Sequence, residues 1–247
     1  LAKTDQFYYM VKKSDRDHLL LRLLDFYEPS SAIIFANTKA DVDSLSNYLQ
    51  KHQFEADAIH GDLKQSQRDY VMGRFRSKKL KYLIATDVAA RGLDISHVDM
   101  VINYEIPFED EIYVHRIGRT GRAGKSGISI SLVYPSMRGK LMMIEKFIKT
   151  QMKELSIPTD QEINQRRLER SYNQLVEQIE LHKGEHVVTM QKLLSDGYHE
   201  HEIITGLLHQ MMVTEKTYEA IEAPSKRREN DRNPQQKGSS KDRDRSQ

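Results

Sequence analysis

Residues 31–49 read SAIIFANTKADVDSLSNYL and place a short apolar run directly before a segment with helical periodicity. The run at 31–36 is short and, apart from Ser31, apolar, which is typical of a strand buried on both faces of a sheet. Asn37 and Thr38 can cap the following helix, because their side chains accept hydrogen bonds from free backbone amides at a helix start. A buried strand followed at once by a helix predicts a βα unit.

The same alternation recurs on both sides of this unit. Further strands are predicted at residues 4–11, 56–60, 81–86, 98–103 and 127–133, and further helices at 15–28, 64–76, 108–116 and 136–149. The strand at 4–11 alternates and carries aromatic residues, so we expect it at a sheet edge. Strands joined by helices of this length form right-handed βαβ units, which predicts an α/β protein with a doubly wound parallel sheet.

Polar residues follow three of these strands: Asn37 and Thr38, residues 60–62 (HGD), and Thr86 with Asp87. Ligands of such sheets bind at the carboxyl ends of the strands, so the three clusters together predict a site. Any one of them alone could be a helix cap. Asp87 in particular is open between an N-cap and a functional residue, and residues 87–94 (DVAARGLD) are expected to form a loop.

Residues 113–122 read YVHRIGRTGR and concentrate basic side chains. Arg116, Arg119 and Arg122 are spaced three apart, which places them near one face of a helical start. Guanidinium groups bind phosphate oxygens bidentately, so the stretch could be a phosphate site. It could equally be a basic turn that caps the C-terminus of a helix, and both interpretations stay open at this point.

The composition changes after about Ser156. Helices are predicted at 161–181, 187–194 and 201–212, followed by a polar and mildly basic tail without periodicity. We therefore predict three parts: an α/β domain at 1–155, a small all-α domain at 156–223 and a disordered basic tail at 224–247. The helical part is too small to bury much core alone, so its apolar faces are expected to pack against a second copy or the first domain.

Composition excludes several classes of protein. The formal net charge is only +2, so a nucleic-acid surface would have to be local. The absence of cysteine excludes disulfides and thiolate metal sites, and no apolar run is long enough to cross a bilayer. The histidines of His199-Glu200-His201 lack one-face helical spacing, so no metal site is predicted. Because the chain begins with Leu1, we expect a fragment of a longer protein.

Four strings occur in order: SAIIFANT (31–38), HGDLKQSQRDYVMGRFR (60–76), ATDVAARGLDI (85–95) and YVHRIGRTGR (113–122). Together they resemble the second RecA-like lobe of the DEAD-box RNA helicases, over roughly residues 1–153. The helical region that follows is similar, more loosely, to the dimerisation segment of bacterial cold-shock DEAD-box helicases. The resemblance implies a RecA-like fold, ATP-dependent RNA unwinding or remodelling, a cytoplasmic protein and a homodimer through 156–223.

The resemblance also implies roles for individual residues. Arg119 and Arg122 correspond to arginine fingers at the ATP γ-phosphate, and His115 and Arg116 to residues that contact the first lobe. Gly92 and Asp94 correspond to the part of the site that binds the nucleotide ribose. The implied contacts to the RNA backbone are Thr38, Gly61, Gln65, Arg68, Thr86 and Arg91.

The sequence lacks a GxxxxGK[ST] phosphate loop and an Asp-Glu-Ala-Asp string. The resemblance assigns both to an N-terminal RecA-like lobe of the same protein, which would hold ATP and Mg²⁺. We therefore expect this chain to be inactive by itself, with RNA and the first lobe as partners. The alternatives are a non-catalytic RNA- or protein-binding adaptor and a DNA helicase of the same superfamily. The basic run at 226–228 is either a solvated segment or a weak RNA tether.

Overall fold

The computed structural model describes residues 4–93, 95, 97–121, 126–222 and 224 of the 247-residue chain. Its strands are β1 (Thr4–Met10), β2 (Ala32–Phe35), β3 (Ala56–Ile59), β4 (Tyr82–Ala85), β5 (Met100–Asn103), β6 (Gly127–Val133) and β7 (Lys153–Glu154). Its helices are α1 (Arg16–Tyr27), α2 (Lys39–Lys51), α3 (Gln65–Arg76), α4 (Asp87–Arg91), α5 (Asp110–Ile117), α6 (Arg138–Ile148), α7 (Asp160–Leu181), α8 (Val187–Ser195) and α9 (Glu200–Met211). The predicted alternation of strands and helices is confirmed.

The strands form one parallel sheet in the order β3-β4-β2-β5-β6-β1-β7. β2 lies between β4 and β5, with Ile34 opposite Ile84 and Ile102. β1 pairs with β6 along its whole length and with β7 on its other side, so the prediction of an edge strand at 4–11 is wrong. β7 has two residues and therefore gives no periodic signal in the sequence.

Helices cover both faces of the sheet, and β2 contributes to both cores. Ile34 packs with Leu20 of α1 and Leu45 of α2 on one face. Phe35 packs on the opposite face with Val71 of α3 and is 1% exposed, which confirms its expected place in the core. Because both faces are buried, the strand has to be apolar at every position, as its sequence is.

A short helix, α4, replaces the loop predicted at residues 87–94. The backbone is extended at Thr86, whose carbonyl accepts a hydrogen bond from the Ala90 amide at 3.0 Å. Ala89 and Ala90 are buried, so the helix is held by packing. Asp87 is therefore the first helical residue and not the N-cap. Five residues are too few for periodicity to reveal a helix.

The first helix of the C-terminal region, α7, packs on α1 of the sheet domain. Ile163 is fully buried, and the Asp160 carboxylate lies 2.7 Å from a guanidinium nitrogen of Arg22. Arg170 donates hydrogen bonds to the carbonyls of Asp25 at 2.6 Å and Phe26 at 3.0 Å. The predicted domain boundary at 155/156 is thus crossed by buried contacts, and the division of the chain into these domains stays a prediction.

Residues 213–222 return from α9 along α7 to the sheet domain. Lys216 pairs with Asp25 at 3.1 Å, and the Tyr218 hydroxyl donates to the same carboxylate at 2.9 Å. A guanidinium nitrogen of Arg22 donates to the Glu219 carbonyl at 3.0 Å. The far end of the segment reaches Lys12, which pairs with Glu222 at 2.5 Å. The segment also bonds α7, because Arg167 Nη1 donates to the Thr214 carbonyl at 3.0 Å and Asn164 Nδ2 donates to the Lys216 carbonyl at 2.8 Å.

Two further expectations concern the limits of the described chain. The predicted disordered tail at 224–247 lies outside the described residues, apart from Pro224. Among the helices that the structure does describe, none is both long and apolar enough to cross a membrane.

Candidate functional site

The three predicted polar clusters lie together at the carboxyl edge of the sheet, where the parallel strands end, because β3, β4 and β2 are adjacent and parallel. Thr38 is the N-cap of α2, and its hydroxyl accepts a hydrogen bond from the Asp41 amide at 3.1 Å, which confirms the predicted cap. His60 is buried after β3, and its Nε2 lies 2.8 Å from the Asp43 carboxylate. The helix starts therefore fix the strand-end residues in place.

The centre of this edge is the guanidinium group of Arg116, which extends from α5 across the ends of three strands. It binds both Asp87 oxygens, with Nε donating at 2.6 Å and Nη2 at 2.7 Å. Nη2 also donates to Asn37 Oδ1 at 2.9 Å. Nη1 donates to Asn103 Oδ1 at 3.2 Å and to the Glu105 carbonyl at 2.6 Å. Every N–H of the guanidinium therefore has a partner within the domain.

Arg116 is only 1% exposed, and its Cζ lies 5.0 Å from the centre of the Phe35 ring. The resemblance led us to expect this side chain at the surface, in contact with another lobe. In this structure its donors point inward instead, because Asp87, Asn37 and Asn103 surround it with acceptors. Any effect of Arg116 on a ligand must pass through the residues that it holds.

His115 and Arg119, the neighbours of Arg116 in the sequence, reach the surface. Phe35, Asp87, Ala90, Arg91, Ile112, His115, Arg116 and Arg119 line one small cleft. His115 is exposed, Arg119 is half-buried, and Nη1 of Arg119 donates to the Leu93 carbonyl at 3.3 Å. Basic side chains from two different segments of the chain therefore meet at this cleft, at the end of β2.

The turn that carries Arg119 is fixed to the start of β6. Its carbonyl accepts from the Val98 amide at 3.1 Å, and the buried Thr120 hydroxyl donates to the Val98 carbonyl at 2.6 Å. Gly121 has a positive φ of 69°. A Cβ atom on Gly127 would lie 2.9 Å from Gly121 Cα, so only glycine permits this approach. The position of Arg119 is therefore set by backbone packing.

The residues expected to contact RNA fall into two groups along the edge. Gly61 lies beside Lys39, the residue after Thr38, since a Cβ on Gly61 would be 3.8 Å from Lys39 Cε. A Cβ on Gly92 would be 3.9 Å from Arg68 Nη2, so α3 lies beside the end of α4. Two of the remaining members, Gln65 and Arg91, are exposed, whereas Thr86 is buried.

Two expected site residues lie outside the described residues, Asp94 and Arg122. Gly92, which is expected to act with Asp94, is exposed at the end of α4. The structure therefore locates the segments that lead to these two residues.

Arg16 and Glu105 join this edge although the sequence did not single them out. Arg16 is 6% exposed, its Nη1 donates to Glu105 Oε1 at 2.9 Å, and its Cζ lies 3.7 Å from the centre of the Tyr104 ring. Burial alone would lower the pKa of Arg16, but Tyr104 and Glu105 raise it above its ordinary value, so the guanidinium stays charged. Polar residues after β5, a fourth strand end, were the signal that could have identified Glu105.

The donor set of this edge suits anions. Arg91, Arg119 and His115 offer N–H groups that match phosphate oxygens. Within the described part of the chain, no three histidine or acidic side chains come together as a metal ion would require. The rings of His199 and His201 stack 5.7 Å apart. The basic residues at this edge therefore fit a phosphate-bearing ligand.

Comparison with known proteins gives the class of this fold and site. Residues 15–124 match the family described as the helicase conserved C-terminal domain. The ATP-dependent RNA helicase CshA of Listeria monocytogenes is 48% identical over 155 residues, covering 63% of this chain and 30% of the relative. CshA of Limosilactobacillus reuteri is 38% identical over 207 residues, covering 84% of this chain and 42% of the relative.

Solved structures agree with this class. The C-terminal domain of the DEAD-box protein Dbp5 is 35% identical, with a TM-score of 0.59, and the match covers 62% of this chain and 90% of that domain. Dbp5 of S. cerevisiae bound to RNA and ADP BeF3 is also 35% identical, with a TM-score of 0.57 and coverage of 61% and 41%. The chain belongs to the DEAD-box RNA helicases and contains their C-terminal helicase domain. It spans less than half the length of the curated relatives named above.

Proposed function

We propose that this chain is the second lobe of an ATP-dependent RNA helicase and completes sites for ATP and RNA together with a first lobe. The observation that carries the proposal is the cleft in which Arg91, His115 and Arg119 meet at the carboxyl edge of the sheet. The Dbp5 structure, at 35% identity, contains RNA and ADP BeF3 and supports both ligands. The complete enzyme would separate short RNA duplexes or remodel RNA–protein complexes.

In this proposal Arg119 and Arg122 act as arginine fingers. Phosphoryl transfer spreads negative charge over the oxygens of the transferred group, and a guanidinium placed there lowers the barrier. The rigid turn around Thr120 supports this role, because a finger has to be positioned before the reaction starts. Asp94 and Gly92 would bind the ribose. Mg²⁺, which the first lobe would hold, would neutralise charge on the phosphates.

The RNA contacts would run along the same edge. Thr38, Gly61, Gln65, Arg68, Thr86 and Arg91 would bind the sugar-phosphate backbone. Such contacts fix the register of a strand without reading its bases, so little sequence preference is expected. Because the fingers and the RNA residues share one edge, closing the two lobes would engage both ligands together. His115, exposed beside the cleft, is available for contact with the first lobe.

The proposal predicts that hydrolysis requires the first lobe. The isolated 247-residue chain should release no phosphate from ATP above background, because the residues expected to bind Mg²⁺ and the phosphates lie elsewhere. The complete protein should hydrolyse ATP, and RNA should stimulate it. The measurement is phosphate release with and without RNA for both proteins. Hydrolysis by the isolated chain at a helicase-like rate would contradict the assignment, and a complete protein that binds RNA but never hydrolyses ATP would indicate an adaptor.

We also propose that α8 and α9 form a homodimer interface. Their apolar side chains are largely exposed in the single chain, with Ile204 and Leu207 each at 55% and Met211 at 48%. α7 is tied to the sheet domain through Arg22 and Arg170, and α8 and α9 contribute no buried residue of their own. Exposed apolar side chains at helical spacing, such as Ile204, Leu207 and Met211 of α9, are typical of an interface.

The dimer is tested by changing Ile204 and Leu207 to glutamate. Two charges in the proposed interface should convert a dimer into a monomer at the same concentration, measured by light scattering, without unfolding either chain. Met142→Glu is the matched control, because Met142 is 61% exposed on α6, and it should leave the dimer intact. A double variant that stays dimeric would place the interface elsewhere. These substitutions test the interface more specifically than truncation of the chain after Ser156, because truncation would also remove α7 and its buried contacts.

A further inference from the structure

Glu105 connects three separate segments at the carboxyl edge of the sheet. Its Oε1 accepts from Arg16 Nη1 at 2.9 Å, and its Oε2 accepts from the Asn37 amide at 2.9 Å. Its carbonyl accepts from Arg116 Nη1 at 2.6 Å. One residue therefore joins the start of α1, the turn after β2 and the middle of the site.

Asn37 provides a second connection between the turn after β2 and Arg116. Its Oδ1 accepts from Arg116 Nη2 at 2.9 Å, while its Nδ2 donates to the Ile106 carbonyl at 3.1 Å. The next residue is Thr38, which caps α2 and is expected to contact RNA. The turn at residues 37–38 is thus fixed to Arg116 both directly and through Glu105.

The ion pair of Glu105 with Arg16 is enclosed, with side chains 13% and 7% exposed. Such a pair adds little to stability on balance, because desolvation of both charges opposes their attraction. Its contribution is geometric: Arg16, stacked on Tyr104, holds the carboxylate in the orientation in which its second oxygen meets the Asn37 amide. The ion pair therefore fixes the orientation of the Glu105 carboxylate.

We infer that Glu105 is a positioning residue that links the RNA-contacting turn at Thr38 to Arg116, and through α5 to the finger Arg119. The inference rests on the proposed function. Glu105 touches neither ligand in this scheme. It keeps the turn and α5 in one arrangement, so that RNA bound at the turn favours the finger position needed for hydrolysis. Without this link the complete enzyme should still bind RNA, but RNA should stimulate hydrolysis less.

Two double variants of the complete enzyme separate this role from folding. Both carry Arg16→Met, which removes the charge that would otherwise be left buried without a partner. Glu105→Gln, combined with it, retains an oxygen for the Asn37 amide, whereas Glu105→Met, combined with it, does not. We expect the two double variants to have equal melting temperatures. The glutamine variant should keep its RNA-saturated kcat within threefold of the unchanged enzyme, because its remaining oxygen can still accept from the Asn37 amide although Arg16 no longer orients it. The methionine variant should lose at least tenfold, with RNA affinity changed less than threefold.

A third variant, Asn37→Ala, removes the direct bond of the turn to Arg116 but leaves the backbone amide of Asn37 bonded to Glu105 Oε2. It should therefore lower the RNA-saturated kcat less than the methionine variant does, and Glu105→Leu combined with Arg16→Met repeats the test if the methionine variant folds poorly. The matched control is Arg22→Met with Asp160→Asn, another ion pair of α1, whose side chains are 7% and 40% exposed. This control pair lies away from the site and should leave kcat within twofold.

The outcomes are distinct. Equal kcat values for the glutamine and methionine variants, or a loss for Asn37→Ala as large as that of the methionine variant, would overturn the inference while leaving the proposed function in place. An unchanged complete enzyme that shows no RNA-stimulated hydrolysis would overturn the proposed function itself. A tenfold loss in the Arg22 and Asp160 control would also overturn the inference, because the effect would then follow from any buried pair on α1.

Discussion

Replacing Arg119 or Arg122 by alanine in the complete enzyme should lower kcat for RNA-stimulated ATP hydrolysis by about 10³-fold. A finger acts on charge that develops in the transition state, so the loss belongs to kcat, while RNA affinity should change by no more than a few-fold. Arg119 lies in a turn that is fixed by the hydrogen bonds of Val98 and Thr120. The measurements are steady-state hydrolysis at saturating RNA and equilibrium RNA binding.

Arg68→Ala is the matched control for this prediction. Arg68 lies beside Gly92 on the same edge and is expected to contact the RNA backbone. Its loss should weaken RNA binding more than it lowers kcat at saturating RNA. If the Arg119 variant instead loses RNA binding and hydrolysis in equal proportion, the stretch at 113–122 is an RNA clamp and not a source of fingers.

Replacing Arg116 by alanine should destabilise the 247-residue chain by about 3–5 kcal/mol, because Asp87 would lose its partner within a largely enclosed site. For a chain of this size the change corresponds to a melting temperature lower by about 10 °C. Arg116→Lys should be nearly as damaging, since an ammonium group cannot bind Asp87 bidentately and also reach Asn37 and Asn103. Thermal unfolding followed by circular dichroism measures both effects.

Arg91→Ala is the control here, because Arg91 lines the same cleft but is exposed. Its removal should change the free energy of unfolding by no more than about 0.5 kcal/mol. An Arg116→Ala chain that melts with the unchanged protein would show that the observed hydrogen bonds do not hold the strand ends together. Comparing the two variants therefore distinguishes an arginine that stabilises the fold around the site from an arginine that is proposed to contact a ligand there.

Much of the α/β fold could be predicted because its strands are buried on both faces. The run at 31–36, apolar after Ser31, and the cap at Thr38 mark a strand and a helix start through local chemistry alone. The predicted cap at Asn37 is wrong, because its side chain bonds Arg116 and the Ile106 carbonyl instead. The short elements α4 and β7 could not be predicted in this way, because packing and pairing with distant parts of the chain hold them in place. The expected edge strand at 4–11 failed because its neighbour, β7, is too short to leave a pattern.

The residues of the site were predictable as a set, since polar residues after parallel strands converge on one edge. Their individual environments were not. Arg116 and Arg119 look alike in the sequence, three residues apart in YVHRIGRTGR. Only the folded chain shows that Arg116 points into acceptors from three strand ends, while Arg119 lies in a turn at the cleft.

The sequence by itself determined the class of fold, the edge at which we expect ligands to bind and the residues that gather there, because apolar runs, turns and capping residues are local features of the chain. The tertiary structure decided which arginine is buried, that Glu105 and Arg16 belong to the same network, and that α7 packs on the sheet domain while α8 and α9 keep their apolar faces exposed. The physical reason is that hydrogen-bond partners and burial depend on segments far apart in the chain. Glu105 lies next to Arg116 and Asn37 only after β2 and β5 have paired.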